Sequence, residues 1–143
     1  MKVAIGCDHA GFEVKEILKK YLSNEMLYEV IDLGASSLES VDYPIFGHKV
    51  GKKVSEGLVD RGIVVCGSGI GISIAANKIK GVRAALCTSV EHAELSRKHN
   101  DANVLAIGSR LTNIETTYEI VDKWFNTEFE KGRHLDRINL IEL

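Results

Sequence analysis

The sequence has few of the features that mark membrane, secreted or metal-binding proteins. No apolar run approaches the ~20 residues that span a membrane, and Asp8 and His9 interrupt the apolar start of the chain, which is too short for a signal-peptide core. The three cysteines, Cys7, Cys66 and Cys87, show no Cys-x-x-Cys spacing, and the five histidines form no His-x-His or His-Glu-x-x-His pair. We therefore expect a cytoplasmic protein with reduced thiols, no bound metal and no cofactor.

The chain also lacks an excess of either charge and has a single proline. Its 18 basic and 20 acidic residues give a net charge of −2, which provides no general attraction to nucleic acid or to an anionic membrane. At 143 residues, 45% of them hydrophobic, the chain is long enough for one core and too short for two ordinary domains. We expect one domain over residues 1–143, without a nucleic-acid or membrane partner, in which any anion site is local.

Short apolar runs alternate with amphipathic stretches, which is the pattern of βαβ units. The predicted strands cover residues 2–7, 28–34, 62–66, 82–87 and 102–108, and the predicted helices cover residues 13–22, 42–57, 71–78, 89–98 and 112–125. Asp42, ahead of Pro44, predicts a capped start for the second helix. The last three strands lack polar alternation, which is typical of strands buried on both faces. The expected fold is an α/β parallel sheet of five strands between helices.

Polar residues gather after several of the predicted strands. Asp8 and His9 follow the first strand, the loop Cys66–Gly71 follows the third, and Arg110 comes shortly after the fifth. Ligands of such folds bind beyond the carboxyl ends of the strands. We expect these residues, together with His99-Asn100 after the fourth helix, to form one site.

The loop "GSGIGI" after the third strand is rich in glycine. Its G-x-G-x-G spacing is not the dinucleotide pattern, and the chain has no P-loop. Gly67, Gly69 and Gly71 allow backbone N–H groups from a turn and a helix N-terminus to converge on an anion or on an oxyanion formed during a reaction. The alternative is a tight strand-to-helix turn without a ligand.

Cys66 has two interpretations. A cysteine at the end of a buried strand is commonly a small core residue, but a thiol that faces a glycine loop at a helix N-terminus has the setting that favours a thiolate. Cys7 adjoins Asp8, whose charge disfavours a thiolate, and Cys87 precedes Thr88-Ser89, a predicted helix cap. We interpret Cys7 and Cys87 as structural.

The C-terminal stretch "GRHLDRI" places Arg133 and Arg137 four residues apart. On a helix, both guanidinium groups lie on one face and can close on one phosphate. His134 would point elsewhere, toward a partner subunit. The alternatives are a solvated basic face here and, for His99, a simple C-terminal cation on its helix.

Five ordered motifs carry a family resemblance over nearly the whole chain: "GCDHAGFEVK", "DYP", "CGSGIGISIAANKIKGVRAAL", "SRKHNDANVLAIGSR" and "GRHLDRI". Together they resemble the type B ribose-5-phosphate isomerases, whose family also holds the subunits of galactose-6-phosphate isomerase. The resemblance implies a Rossmann-like αβα sandwich with a C-terminal helix. It also implies a homodimer or dimer of dimers with shared active sites, and metal-independent interconversion of ribose 5-phosphate and ribulose 5-phosphate.

The resemblance also implies roles for single residues. Cys66 would be the base that moves a proton between C2 and C1, His99 would help to open the sugar ring, and the Ser68 hydroxyl would relay a proton between oxygens; many members have threonine at this position. The implied substrate-binding residues are Asp8, His9, Tyr43, Gly67, Ser68, Gly69, Ile70, Gly71, Asn100, Arg110, Arg133, His134 and Arg137. Of these, the loop residues would hold the enediolate oxygens and the three arginines the phosphate.

Three alternatives remain at this stage. The stretch "DYPIFGHKVGKKV" is similar to the galactose-6-phosphate isomerase branch, which makes a hexose 6-phosphate the alternative substrate. A non-catalytic module that holds a sugar phosphate would use the same arginines and loop, but it would give Cys66 no task. A hydrolase would use Cys66 as a nucleophile and form a covalent intermediate.

Overall fold

The computed structural model describes residues 1–143 as a parallel five-stranded sheet covered by helices on both faces. The strands are β1 (Lys2–Cys7), β2 (Glu29–Asp32), β3 (Arg61–Cys66), β4 (Ala84–Leu86) and β5 (Val104–Gly108). The helices are α1 (Phe12–Asn24), α2 (Tyr43–Ser55), α3 (Ile70–Asn77), α4 (Val90–Asn100), α5 (Ile114–Phe125) and α6 (Arg133–Ile138). The strand order is β2-β1-β3-β5-β4, so the α/β Rossmann-like fold with a C-terminal helix is confirmed.

Burial differs between the centre and the edges of the sheet. Strands β1, β3 and β5 are almost completely buried, because α2 and α3 pack on one face while α1, α4 and α5 cover the other. Strand β4 is only half-buried, so the prediction of a strand buried on both faces over residues 82–87 is wrong. The physical reason is its place at the edge of the sheet, which leaves one side without a neighbouring strand. No helix combines the length and the apolar character needed to cross a bilayer.

The helix caps follow the sequence prediction at one position and depart from it at another. Ser89 caps α4, since its side chain accepts a hydrogen bond from the backbone N–H of His92 at 3.1 Å. Asp42 does precede α2, but its carboxylate caps no N–H group. Pro44 stands in the first turn and has no N–H to offer, which removes one of the donors that such a cap would serve.

A buried lysine links α1 to the end of β2. Lys15 is completely buried, and its Nζ donates to both carboxylate oxygens of Asp32 at 2.7 and 2.8 Å. Lys19 donates to the same carboxylate at 2.6 Å, and so does the backbone N–H of Gly34 at 2.9 Å. Burial alone would raise the pKa of Asp32, but the hydrogen bonds from Lys15, Lys19 and Gly34 outweigh it and lower that pKa below its usual value.

This lowered pKa predicts an acid-sensitive contribution to stability. The stabilisation by Asp32 is fully present above the unfolded-state pKa, about 3.9 for an aspartate, and is lost as pH falls through the lower folded-state pKa. Asp32→Asn should therefore unfold more easily in urea than the wild type at pH 7, and the gap in unfolding free energy should narrow only below about pH 4. Glu94→Gln is the control, because it breaks the surface ion pair with Lys98 and should change little. A gap of the same size at pH 7 and pH 3 would contradict the assignment.

Candidate active site

A cavity of about 340 Å³ opens beyond the carboxyl ends of β1, β3 and β5. It is lined by Asp8, Tyr43, Cys66, Gly67, Ser68, Gly71, Arg110 and Leu111. The pairing of β3 with both β1 and β5 brings these residues together, since Cys7 is in register with Val65, and Cys66 with Gly108. The order of the strands reverses between β1 and β3, which is where doubly wound sheets bind ligands.

The loop after β3 holds the Cys66 thiol inside its own turn. The Cys66 side chain is almost fully buried, and its Sγ accepts a hydrogen bond from the backbone N–H of Gly69 at 3.2 Å. The N–H of Ile70 donates to the Ser68 hydroxyl oxygen at 3.2 Å, which leaves the hydroxyl hydrogen of Ser68 free to donate elsewhere. The thiol therefore lies at the N-terminus of α3, where helix geometry favours negative charge.

Three backbone N–H groups of this loop have no partner within the chain: those of Gly67, Ser68 and Gly71. Their residues line the same cavity as Cys66, where these N–H groups could hold an oxyanion. The N–H groups of Gly69 and Ile70 are already used by the thiol and by Ser68. That the loop from Gly67 to Gly71 holds the substrate stays a prediction, and the N–H groups free for it in this structure are those of Gly67, Ser68 and Gly71.

Two glycines of the loop are required by close contacts. Gly69 has a φ of +77°, and a Cβ on it would lie 2.5 Å from Leu86 Cδ1 and 2.9 Å from the backbone nitrogen of Gly108. A Cβ on Gly71 would lie 2.5 Å from the ring of Tyr43. The missing side chains thus let the loop lie directly on β5 and let Tyr43 pack across the start of α3.

Ser109 connects the loops of this edge, a role that no pattern in the sequence indicates. Its hydroxyl donates to the carbonyl oxygen of Ala10 at 2.7 Å, while its backbone N–H donates to the carbonyl oxygen of Cys66 at 2.8 Å. Arg110 follows, and its N–H donates to the carbonyl oxygen of Gly67 at 2.9 Å while its exposed guanidinium lies over Gly67. One short segment after β5 therefore fixes the loops after β1 and β3.

Asp8 and His9, predicted as a sugar-binding pair, have different partners. Asp8 is buried, and its Oδ1 accepts the backbone N–H of Gly11 at 3.0 Å. His9 is half-buried, and its Nδ1 accepts the backbone N–H of Val41 at 3.1 Å. Asp8 lines the cavity beside Cys66, and His9 is its neighbour in the chain.

His99 and Asn100 do not join this cavity. They end α4, which runs back from the carboxyl end of β4 toward the amino end of β5, so they lie at the opposite edge of the sheet. Arg83, just before β4, confirms the position, because its guanidinium Nε donates to the carbonyl oxygen of Asn100 at 2.9 Å. Within one chain they therefore do not lie beside the loops after β1 and β3, because a helix that follows a parallel strand ends at the amino edge.

Around His99 the structure assembles a second cluster, which we call the amino-edge cluster: His99, Asn100, Glu130, Arg133, His134 and Arg137. The His99 and His134 rings stack with centroids 4.3 Å apart and an interplanar angle of 15°. Arg133 and Arg137 share α6, as predicted, are exposed and form no ion pair. His134 is buried against His99, and its predicted direction toward a partner subunit stays a prediction.

The charges of the amino-edge cluster act on His134. Burial, the nearby His99 and Arg133 lower the pKa of His134, and the carboxylate of Glu130, 3.5 Å from its Nε2, acts in the opposite direction. His99, Glu130 and His134 have ligand atoms within 4.8 Å of one another, a grouping that the sequence did not reveal. A metal would have to lie near both ring planes, so these groups could share one only if the stacked rings rotated apart.

Comparison with known proteins identifies the family. The model of the Ribose/Galactose Isomerase family matches residues 3–141 of the chain. The protein is a member of this family. The resemblance seen in the five sequence motifs is thereby confirmed.

Individual members of the isomerase family are similar over nearly their whole length. Ribose-5-phosphate isomerase B of Escherichia coli is 49% identical over 140 residues, which cover 98% of this chain and 93% of that protein. The structure of the Clostridium thermocellum ribose-5-phosphate isomerase B is 51% identical with a TM-score of 0.97 and covers 99% and 95% of the two chains. The Mycoplasma genitalium enzyme, solved with bound ribulose-5-phosphate, is 40% identical with a TM-score of 0.94 and covers 98% and 93%.

The other two cysteines of this isomerase-family chain have surroundings that suit a structural role. Cys7 and Cys87 are completely buried in the core. Burial raises the pKa of each thiol to about 11. Both thiols therefore stay protonated and poorly nucleophilic at neutral pH.

These environments predict an order of cysteine reactivity. Iodoacetamide at pH 7.5 should alkylate Cys66 first, because its thiol accepts the Gly69 N–H and borders the cavity, whereas Cys7 and Cys87 are buried with raised pKa values. Peptide mass spectrometry over a time course measures the three rates. Modification of Cys7 or Cys87 at the rate of Cys66 in the folded protein would contradict this assignment, and unfolding in urea, as a control, should make the three rates similar.

Proposed function

We propose that this protein interconverts ribose 5-phosphate and ribulose 5-phosphate, as a single isomerase domain over residues 1–143 and as a step of the pentose phosphate pathway. The observation that carries the proposal is the thiol of Cys66 beside three unpartnered N–H groups, those of Gly67, Ser68 and Gly71. Relatives named ribose-5-phosphate isomerase B, one of them solved with ribulose-5-phosphate, support it.

The proposed chemistry needs a base and an oxyanion site together. A C–H bond next to a carbonyl is weakly acidic, so removal of the C2 proton is fast only where the developing enediolate charge is stabilised. Cys66, as a thiolate, takes the C2 proton of the open-chain aldehyde and returns it to C1. The N–H groups of Gly67, Ser68 and Gly71 hold the enediolate oxygens. Ser68 gives its free hydroxyl hydrogen to O1 and takes the hydrogen of the O2 hydroxyl, so that O2 becomes the carbonyl oxygen and Ser68 is restored. The electron pairs and protons balance without an oxidant or a cofactor.

Ring opening and phosphate binding require groups that the cavity of one chain does not contain. Arg110 is the only arginine that lines it, while His99, Asn100, His134, Arg133 and Arg137 lie in the amino-edge cluster. We infer that a second copy of the chain brings its amino-edge cluster to the cavity. In this arrangement, His99 donates a proton to the ring oxygen, Asn100 binds the sugar, and Arg133 and Arg137 bind the phosphate with Arg110, next to His134.

Exposed apolar side chains near the cavity and near the amino-edge cluster support a homodimer or a dimer of such dimers. Beside the cavity, in α2, in α3 and after β5, these side chains are Ile45, Ile70, Ile74 and Leu111, each at least half exposed. The C-terminal region adds Leu135, Leu140 and Ile141. We infer that these side chains pack in an interface between subunits.

The other functions have less support. The relatives reported above are named for ribose 5-phosphate, which favours the pentose over galactose 6-phosphate. A purely binding module would leave the Cys66 thiol and its Gly69 N–H without a task. Turnover without metal and location in the cytoplasm stay predictions.

The proposal predicts a large loss of turnover when the base is removed. Cys66→Ala should lower kcat for ribose 5-phosphate by about 10²–10⁴-fold, the usual contribution of a positioned base, while Cys87→Ala should keep most of the activity in the fraction that folds. The rates are measured as conversion of ribose 5-phosphate to ribulose 5-phosphate, with and without a chelator. A parallel assay uses galactose 6-phosphate as the substrate. Wild-type turnover by Cys66→Ala would show that Cys66 is not the base. Conversion of galactose 6-phosphate but not of ribose 5-phosphate would show that the substrate is the hexose.

A further inference from the structure

The hydrogen bond at His9 fixes which of its two ring nitrogens carries a proton. Its Nδ1 lies 3.1 Å from the backbone nitrogen of Val41, 32 residues further along the chain. A backbone N–H can only donate, so Nδ1 must present its lone pair. In the neutral ring the proton is then on Nε2.

Val41 is held in place by the structure around it. Its side chain packs against the hydrophobic core. Its segment leaves β2 alongside β1, because the backbone N–H of Leu33 donates to the carbonyl oxygen of Ile5 and that of Ala35 to the carbonyl oxygen of Cys7, both at 2.8 Å. Val41 itself is held by the core contact of its own side chain and by its place two residues before α2.

We propose that Val41 sets His9 as a neutral Nε2–H donor to a substrate oxygen. The proposal rests on the proposed isomerase function and assigns one hydrogen bond by which the substrate is recognised. In this tautomer the only lone pair in the ring plane is used by Val41, so His9 cannot accept a proton from the substrate. The role of base is left to Cys66.

Asp8 and His9 then form a complementary pair. Asp8 lines the cavity, its Oδ1 accepts the Gly11 N–H, and no hydrogen bond within the chain reaches its Oδ2. Asp8 thereby offers an acceptor and His9 a donor. This pair matches a polyol, because one of its hydroxyl groups can donate to the carboxylate while a neighbouring oxygen accepts the N–H. Val41, through its backbone, is a positioning residue for this pair.

Nitrogen NMR of the uniformly ¹⁵N-labelled protein tests the tautomer without any substrate. At neutral pH, the ring of His9, assigned by the loss of its signals in His9→Gln, should show the proton on Nε2. Val41→Ala keeps the backbone N–H and should leave this pattern unchanged, whereas Val41→Pro removes the donor and should mix the two tautomers. A proton on Nδ1 in the wild type would overturn the proposal.

A pair of isosteric variants tests the role in turnover. The amide nitrogen of glutamine reaches the Nε2 position and can donate there, while asparagine can accept the Val41 N–H but has no donor at that position. We expect His9→Gln to keep kcat/KM for ribose 5-phosphate within a few-fold of wild type and His9→Asn to lose about tenfold or more. The reverse order would show that His9 only holds the Val41 segment. If the wild type itself does not isomerise ribose 5-phosphate, the proposed function fails while the NMR result on the tautomer stands.

Discussion

All five strands of the sheet run in the same direction, and this direction determines at which edge each functional residue lies. Every strand ends at the same edge, and every connecting helix returns to the other edge. Cys66 ends β3 at the carboxyl edge, and His99 ends α4 at the amino edge. The length of β3 alone separates the two edges by roughly 16 Å, at about 3.3 Å per residue. No rotation of side chains closes this distance, and we therefore propose that one chain holds two incomplete halves of a site.

The carboxyl-edge half depends on close contacts between loops. Gly69 lies against β5 without a side chain, Ser109 bonds to the loop after β1, and the N–H of Gly69 reaches the Cys66 thiol. Each contact fixes backbone atoms, whose positions vary less than those of long side chains. The result is a thiol and three free N–H groups in a fixed arrangement, the preorganisation that stabilises a developing oxyanion.

The family resemblance implied the C-terminal helix, and the sequence predicted all five strands and the other five helices, because buried strands and amphipathic helices leave strong periodic patterns. It also predicted that Cys66 would lie at a helix N-terminus. It did not reveal Ser109 or the Val41 N–H, since bonds between residues 99 or 32 positions apart leave no local pattern. It placed His99 with the carboxyl-edge residues, because the type of a residue does not show at which edge its helix ends. The stack of His99 on His134 depends on how α6 packs against α4.

We propose that each active site combines the carboxyl edge of one chain with the amino-edge cluster of another. Cys66→Ala and His99→Asn chains, each nearly inactive alone, can be coexpressed with different affinity tags and the hybrid dimer isolated by two purification steps. One of its two sites then has both an intact Cys66 and an intact His99, so it should show about half of the wild-type turnover of ribose 5-phosphate. A purified hybrid no more active than the two parent variants would contradict the claim.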